Sequence, residues 1–154
     1  RWQTLRLWHV RDPRAATMPS RVSTAEILMR RFWPGPLTIV LPARRSLPTA
    51  LTAGSGTIGV RQPDHALLLE LLAAVGPLTG TSANRSGDPP AQTAEAVRAV
   101  LGGEVDMIVD GGMTPGGLSS TVVSAVGPVH VLREGRITRQ AIAAALADSG
   151  VRLS

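Results

Sequence analysis

Residues 57–83, TIGVRQPDHALLLELLAAVGPLTGTSA, read as a strand, a helix and a second strand, and this alternation sets the fold class. TIGVRQP at 57–63 is a short β-branched run suited to a strand. Asp64 is placed to cap the helix HALLLELLAAV, whose leucines lie nearly all round, as expected of a helix buried against a sheet. Gly76-Pro77 stops that helix, and PLTGTSA returns as a strand of small residues.

The same alternation extends in both directions. Upstream, STAEILMRRF places Ser23 as an N-cap with Glu26 three residues later, a capping-box spacing, and sets Ile27, Leu28 and Phe32 on one apolar face. That helix must end near Trp33, because Pro34 and Pro36 of WPGP cannot continue it. LTIVLP at 37–42 is then a strand, followed by a polar loop through Ser55. Downstream, Thr93 caps the helix TAEAVRAVL, with Glu95 in its first turn. VDMIVDGG at 105–112 reads as a buried strand and turn, STVVSAV as another strand, and Gly127-Pro128 as a tight connection into HVLREG. Thr138 caps the last helix, RQAIAAALADS. Single strands alternating with helices, closed by two strands on a short turn, predict an α/β domain with a mixed sheet and helices packed on it. Residues 23–150 form this domain, and residues 1–22, with two tryptophans, five arginines and two prolines in no sustained period, read as an irregular lead-in.

The 154 residues, 44% hydrophobic, are enough for one core, and no apolar run approaches the roughly 18 to 20 residues that span a bilayer. No signal-peptide pattern is seen in RWQTLRLWHVRDPR, so a cytoplasmic protein that does not engage a membrane is expected. With no cysteine, disulfides, thiolate metal sites and a cysteine nucleophile are excluded for this chain. All 16 basic residues are arginine, so every fixed cation is a guanidinium, and the net charge of +5 suits polyphosphate or RNA as well as it suits arginine-rich codon usage.

Three clusters carry chemistry. Thr81-Ser82-Ala83-Asn84-Arg85-Ser86-Gly87 concentrates hydroxyls, an amide and a cation where a strand ends, a common ligand position in α/β sheets, although the same residues are ordinary turn formers. Thr57 and Arg61, four apart on a strand, share one face and can hold a phosphate or carboxylate, or simply face solvent. Gly111, Gly112, Gly116 and Gly117 flank Ser119-Ser120-Thr121, where backbone amides can approach an anion closely. Arg133, followed by Glu134 and Gly135, sets a further cation at the rim or forms a surface pair with Glu134. Neither GxxxxGKS nor GxGxxG occurs, and His9, His65 and His130 lack ligand spacing, so no protein-bound metal is expected.

Taken in order, FWPGPLTIVLP, TIGVRQPDH, TSANRSGDPP, DGG, SSTVV and LREG resemble the YrdC-like threonylcarbamoyl-AMP synthases over about residues 30–138. The joint occurrence of WPGPLT, VRxPxH and SANxSG makes the match specific. The resemblance implies an open, twisted α/β fold with a concave, positively charged site. It also implies condensation of threonine, bicarbonate and ATP, assisted by magnesium, into threonylcarbamoyl-AMP and pyrophosphate for tRNA modification. RNA and tRNA-modification proteins are partners in keeping with that role.

By the same resemblance Arg61 meets the threonine carboxylate, with Gly80 and Ser120 near threonine. Thr57, Ser82, Asn84, Pro90 and Arg133 occupy nucleotide-contacting positions. No side chain has the setting of a nucleophile or tuned general base, which fits catalysis by positioning and charge stabilisation. The family's opening strand with a PTDTxYGL-type motif and its Lys-x-Arg-Pro segment find no match in residues 1–29, and the chain is expected to have little activity without that lysine. A non-catalytic nucleotide- or RNA-binding remnant of the same fold is the alternative. A carbamoyl-transfer domain of the hydrogenase-maturation type is disfavoured, because no acylphosphatase-like or zinc-finger segment accompanies it.

Overall fold

The computed structural model describes Leu5–Arg6 and residues 23–154 apart from Ser86, Gly87 and Pro115. Its elements are β1 (Leu5–Arg6), α1 (Thr24–Phe32), β2 (Leu37–Pro42), α2 (Thr49–Thr52), β3 (Thr57–Val60), α3 (Ala66–Val75), β4 (Thr79–Gly80), α4 (Ala94–Leu101), β5 (Thr121–Ser124), β6 (His130–Arg133) and α5 (Arg139–Leu146), with a short 3-10 turn after α5. The strands form one sheet in the order β4-β1-β3-β2-β5-β6. β1 runs parallel to β3 and β2 parallel to β5, while the β1–β4, β2–β3 and β5–β6 pairings are antiparallel. The sheet is therefore open and mixed, as expected.

The local signals act as their chemistry dictates. Ser23 and Glu26 form a reciprocal capping box at α1, with Glu26 Oε2 accepting from the Ser23 amide at 2.8 Å. Trp33 ends the helix, and its indole donates to the Leu37 carbonyl at 2.7 Å, carrying the chain into β2. Gly35 in that turn has no room for a side chain, because a Cβ would run into the Phe32 carbonyl. Thr93 and Thr138 cap α4 and α5 through their hydroxyls.

β2 lies between β3 and β5, and its alternate residues supply the centre of the core. Leu37 and Ile39 of β2, Val123 of β5, Leu28 of α1, and Ile142 and Leu146 of α5 are all 0% exposed. α1 and α5 pack against each other and share this core with one face of the sheet. Thr121 is the polar group at its centre, also 0% exposed. Its hydroxyl donates to the Ile137 carbonyl at 2.5 Å and accepts from the Gly135 and Ile137 amides at 2.9 and 3.0 Å. Gly135 must be glycine, since a Cβ would strike the backbone of Ser119 and Ser120.

Several expectations are corrected. The helix after Pro63 is capped by the His65 imidazole, not Asp64, with Nδ1 accepting from the Leu68 amide at 3.4 Å. α3 buries only Leu72 and leaves Leu67, Leu71 and Val75 exposed, because no described element supplies the second packed layer that an all-round apolar helix needs. Residues 105–112 form no strand: no described strand runs alongside, and Val105, Met107 and Val109 are exposed. The segment read as an irregular lead-in supplies β1, which joins β3 to β4, and the rest of it lies outside the described residues. The loop before Ser55 contains α2, and the strand expected at 77–83 is reduced to β4.

Two substitutions test this core. Thr121→Val keeps the shape but strands two buried amides, and is expected to cost about 2 to 4 kcal/mol in denaturant unfolding, with Thr121→Ser retaining most of the stability. Gly135→Ala is expected to destabilise by at least about 2 kcal/mol, because the obstructing atoms are backbone and cannot swing away. Wild-type midpoints in either Thr121→Val or Gly135→Ala would contradict this account of the centre.

Candidate functional site

The face of the sheet opposite α1 and α5 carries the other half of the strand alternation. Ile58 and Val60 of β3 enter the core, which turns Thr57, Gly59 and Arg61 the other way. Thr38 and Val40 of β2, Val122 of β5 and Arg133 of β6 join Thr57 and Gly59 around a concavity of about 630 Å³, closed on one side by α2. Gly59 keeps its floor flat, since a Cβ there would meet the Thr38 methyl at 3.3 Å.

A short polar chain crosses one wall. The Thr38 and Ser120 hydroxyls are 3.2 Å apart and both are buried. Arg133 Nη2 donates to the Ser120 carbonyl at 3.1 Å and reaches its hydroxyl at 3.5 Å. At the α2 side the Thr57 hydroxyl lies 3.0 Å from that of Ser55. These hydroxyls each retain hydrogen-bonding capacity toward a ligand.

Arg61 follows β3 directly and is anchored by Nε to the Gly35 carbonyl at 3.0 Å, while the Gly35 amide donates to the Gln62 carbonyl at 2.9 Å. Burial, and then the nearby Arg136 guanidinium, hold Arg61 below the usual guanidinium pKa. Arg136 itself donates from Nη2 to the Gly116 carbonyl at 2.6 Å and from Nε to the Leu118 carbonyl at 3.2 Å. Among the described residues no carboxylate pairs with Arg61, Arg133 or Arg136, whereas Arg85 is paired with Glu104 at 2.8 Å. Cations anchored only on neutral carbonyls keep their charge available to an anion.

The structure thus brings Thr57 and Arg133 to one concavity and ties Ser120 to it through Arg133, while Arg61, at the end of β3, is turned to the same face but does not line that concavity. The SANRSG loop belongs to a different region. Thr81 and Ser82 line a second cavity of about 740 Å³, which shares no lining residue with the first and is walled mainly by apolar side chains of α3, α4 and residues 105–114. Gly80 pairs with Leu5 in β4, at the sheet edge opposite β6. Asn84 spends both amide hydrogens on its own loop, donating to the Arg85 and Asp88 carbonyls at 2.9 and 2.8 Å. It therefore offers a ligand no free amide donor, and its Oδ1 is buried with no partner among the described residues. Pro90 is exposed and lines neither cavity. Ser86 and Gly87 lie outside the described residues.

Sequence reasoning missed Thr38 and Arg136. Thr38 stands inside WPGPLT, where alternation from buried Leu37 and Ile39 would have turned it to the open face. Arg136 had no signal, because its guanidinium contacts join residues 18 and 20 apart in sequence. Among the described residues no three His, Asp or Glu side chains gather as metal ligands, and no helix is long and apolar enough to cross a membrane.

Comparison with known proteins matches this architecture to one group. The Sua5/YciO/YrdC family profile, described as telomere recombination, matches residues 9–135. The chain is 45% identical over 125 residues to a threonylcarbamoyl-AMP synthase of Bacillus subtilis, covering 79% of this chain and 36% of that protein. It is 40% identical over 120 residues to one of Pyrococcus abyssi, covering 77% and 35%. In three dimensions it is similar to P. abyssi Sua5 complexed with L-threonine, with a TM-score of 0.80 and 32% identity over 98% of this chain and 44% of that one. Escherichia coli YciO follows at 0.67 and 26% identity, covering 88% and 66%. The chain spans about a third of the length of those two curated relatives, and both its sequence and its sheet show that it belongs to the Sua5/YciO/YrdC family.

Proposed function

We propose that this chain takes part in making threonylcarbamoyl-AMP from threonine, bicarbonate and ATP, for tRNA modification in the cytoplasm. The observation that carries the reading is Arg61, partly buried, beside a second guanidinium and without a carboxylate partner among the described residues. A buried unpaired cation of this kind gains most from an anion with two oxygens in one plane, and an amino-acid carboxylate supplies one. Relatives named threonylcarbamoyl-AMP synthase, and a related structure holding L-threonine, support that choice of anion.

In this reading Arg61 takes the threonine carboxylate, with Ser120 as a threonine neighbour. Thr57, Ser82, Pro90 and Arg133 contact the nucleotide, and Asn84 shapes the loop beside Ser82 through its bonds to the Arg85 and Asp88 carbonyls. Threonine's amino nitrogen and bicarbonate combine with loss of water to give a carbamate. A carbamate oxygen then attacks the α-phosphorus of ATP, and pyrophosphate leaves. The chain's contribution is to hold the partners in line and to place fixed positive charge where negative charge builds. Magnesium enters with ATP as the counter-ion of its phosphates, not as a metal held by a carboxylate cluster. The 154 residues contain no lysine, so arginine alone meets phosphate charge in this chain, and turnover is expected to be slow.

Calorimetry and a pyrophosphate-release assay test this directly. Arg61→Ala is expected to weaken L-threonine binding by about 10- to 100-fold and ATP binding by no more than about twofold. Arg133→Ala is expected to do the reverse. Pyrophosphate release is expected to require both threonine and bicarbonate; ATP or RNA binding without any such release would instead make the chain a non-catalytic binding module. Unchanged threonine affinity in Arg61→Ala would remove Arg61 from the site.

A further inference from the structure

The loop that delivers Ser120 to the open face is held in an unusual way. Gly116 and Gly117 have φ of +59° and +80°, a left-handed backbone that only glycine adopts at little cost. Such a pair is also the stretch of chain with the greatest freedom to move. Among the described residues, the only hydrogen-bond partner of positions 116–118 is the Arg136 guanidinium, through the Gly116 and Leu118 carbonyls. The Arg136 amide adds a third link, donating to the Ser119 carbonyl at 3.0 Å. Three of the four residues before Ser120 are therefore tied to one arginine.

We infer that Arg136 is a positioning residue with two effects: its guanidinium clasps the Gly116–Ser119 loop against the sheet, and its charge adds a second unneutralised cation beside Arg61 at the anion-binding end of the site. The clasp follows from geometry. Nε and Nη2 diverge by the fixed fork of the guanidinium, so two carbonyls two residues apart are gripped by one rigid group, which a lysine ammonium cannot span in the same way. The charge effect follows from the partners chosen. Both acceptors are neutral, no described carboxylate lies in contact, and the backbone brings the two arginines to one end of the site: Arg61 is anchored on the Gly35 carbonyl, the Pro36 carbonyl accepts from the Thr121 amide at 2.9 Å, and the Arg136 amide is bonded to Ser119, two residues before Thr121. An entering oxyanion, carboxylate or phosphate, relieves the repulsion between them and gains from both cations. The clasp stands on the structure alone; the choice of threonine carboxylate as the anion rests on the function proposed above.

Three chains separate the two effects: wild type, Arg136→Met and Arg136→Lys. NMR relaxation of the Gly116, Gly117 and Leu118 amides reads the clasp without any ligand. Wild type is expected to give order parameters near the rigid value of about 0.85, and both variants values below about 0.6. Amides of α1, β2 and α5 serve as the internal check that each variant is folded. Titration with L-threonine, and separately with inorganic pyrophosphate, reads the charge and tells the two anion sources apart. Arg136→Met is expected to weaken the preferred anion about tenfold, and Arg136→Lys, which keeps the charge, only about two- to threefold. An equally rigid loop in Arg136→Met overturns the clasp. Equal losses in the Lys and Met variants, or no loss in either, overturn the charge effect. Wild type that binds neither anion overturns the charge effect together with the proposed function, while the relaxation data still decide the clasp.

Discussion

The buried hydroxyl of Thr121 is the constraint on which the rest of the site depends. It sits in the apolar centre with its donor and acceptor positions used, and it ties the first residue of β5 to the Gly135–Ile137 turn. A fully satisfied polar group in a low-dielectric interior fixes geometry more sharply than an apolar contact does, since any shift leaves a group unpaired. Here the fixed segments are those that carry residues proposed for the site. Ser120 precedes the lock, and Arg133 and Arg136 flank its other side. Gly135 allows the two backbones to approach so closely, and α5, which begins two residues after Ile137, seals the core beneath. The geometry of the open face of the sheet is thus held by packing on the other.

Much of this was legible in the sequence, for identifiable reasons. Capping pairs act over three residues and Pro-Gly turns over four, so the start of α1, the stop at Trp33 and the caps of α4 and α5 were read locally. Alternation along β3 put Thr57 and Arg61 on the face away from the core. What failed were inferences about burial. An apolar run states what a segment would gain from cover, not whether cover exists, and both α3 and residues 105–112 lack it among the described residues. Residues Leu5–Arg6 were illegible as a strand because two residues carry no period, and their pairing with β3 and β4 is set by partners more than 50 positions away.

Within the site, side-chain type was readable and hydrogen-bond state was not. Asn84 looked like a donor by chemistry, yet its amide hydrogens are consumed by two carbonyls of its own loop. Arg136 gave no local signal, yet it carries the links that hold the glycine loop. Both facts depend on where backbone carbonyls fall after folding, which no residue-level pattern encodes. The anchors of Arg61 and Arg136 are all main-chain oxygens. Substitution of the anchoring residues' side chains therefore leaves the acceptors in place, and variation in the site must come through the arginines or the residues lining the open face.

That choice of acceptor has a further consequence in solution. Carbonyls fix a guanidinium without cancelling it, so Arg61 and Arg136 keep a mutual repulsion that a carboxylate partner would remove. Simple electrolytes then act on the molecule in two opposite senses. Chloride or sulfate gathering over the arginines screens their repulsion and steadies the free fold, and the same ions compete with the anion proposed for the site and slow its encounter with it. A buffer that prolongs the protein's life on the bench is, for the same electrostatic reason, the one in which its ligands bind most weakly.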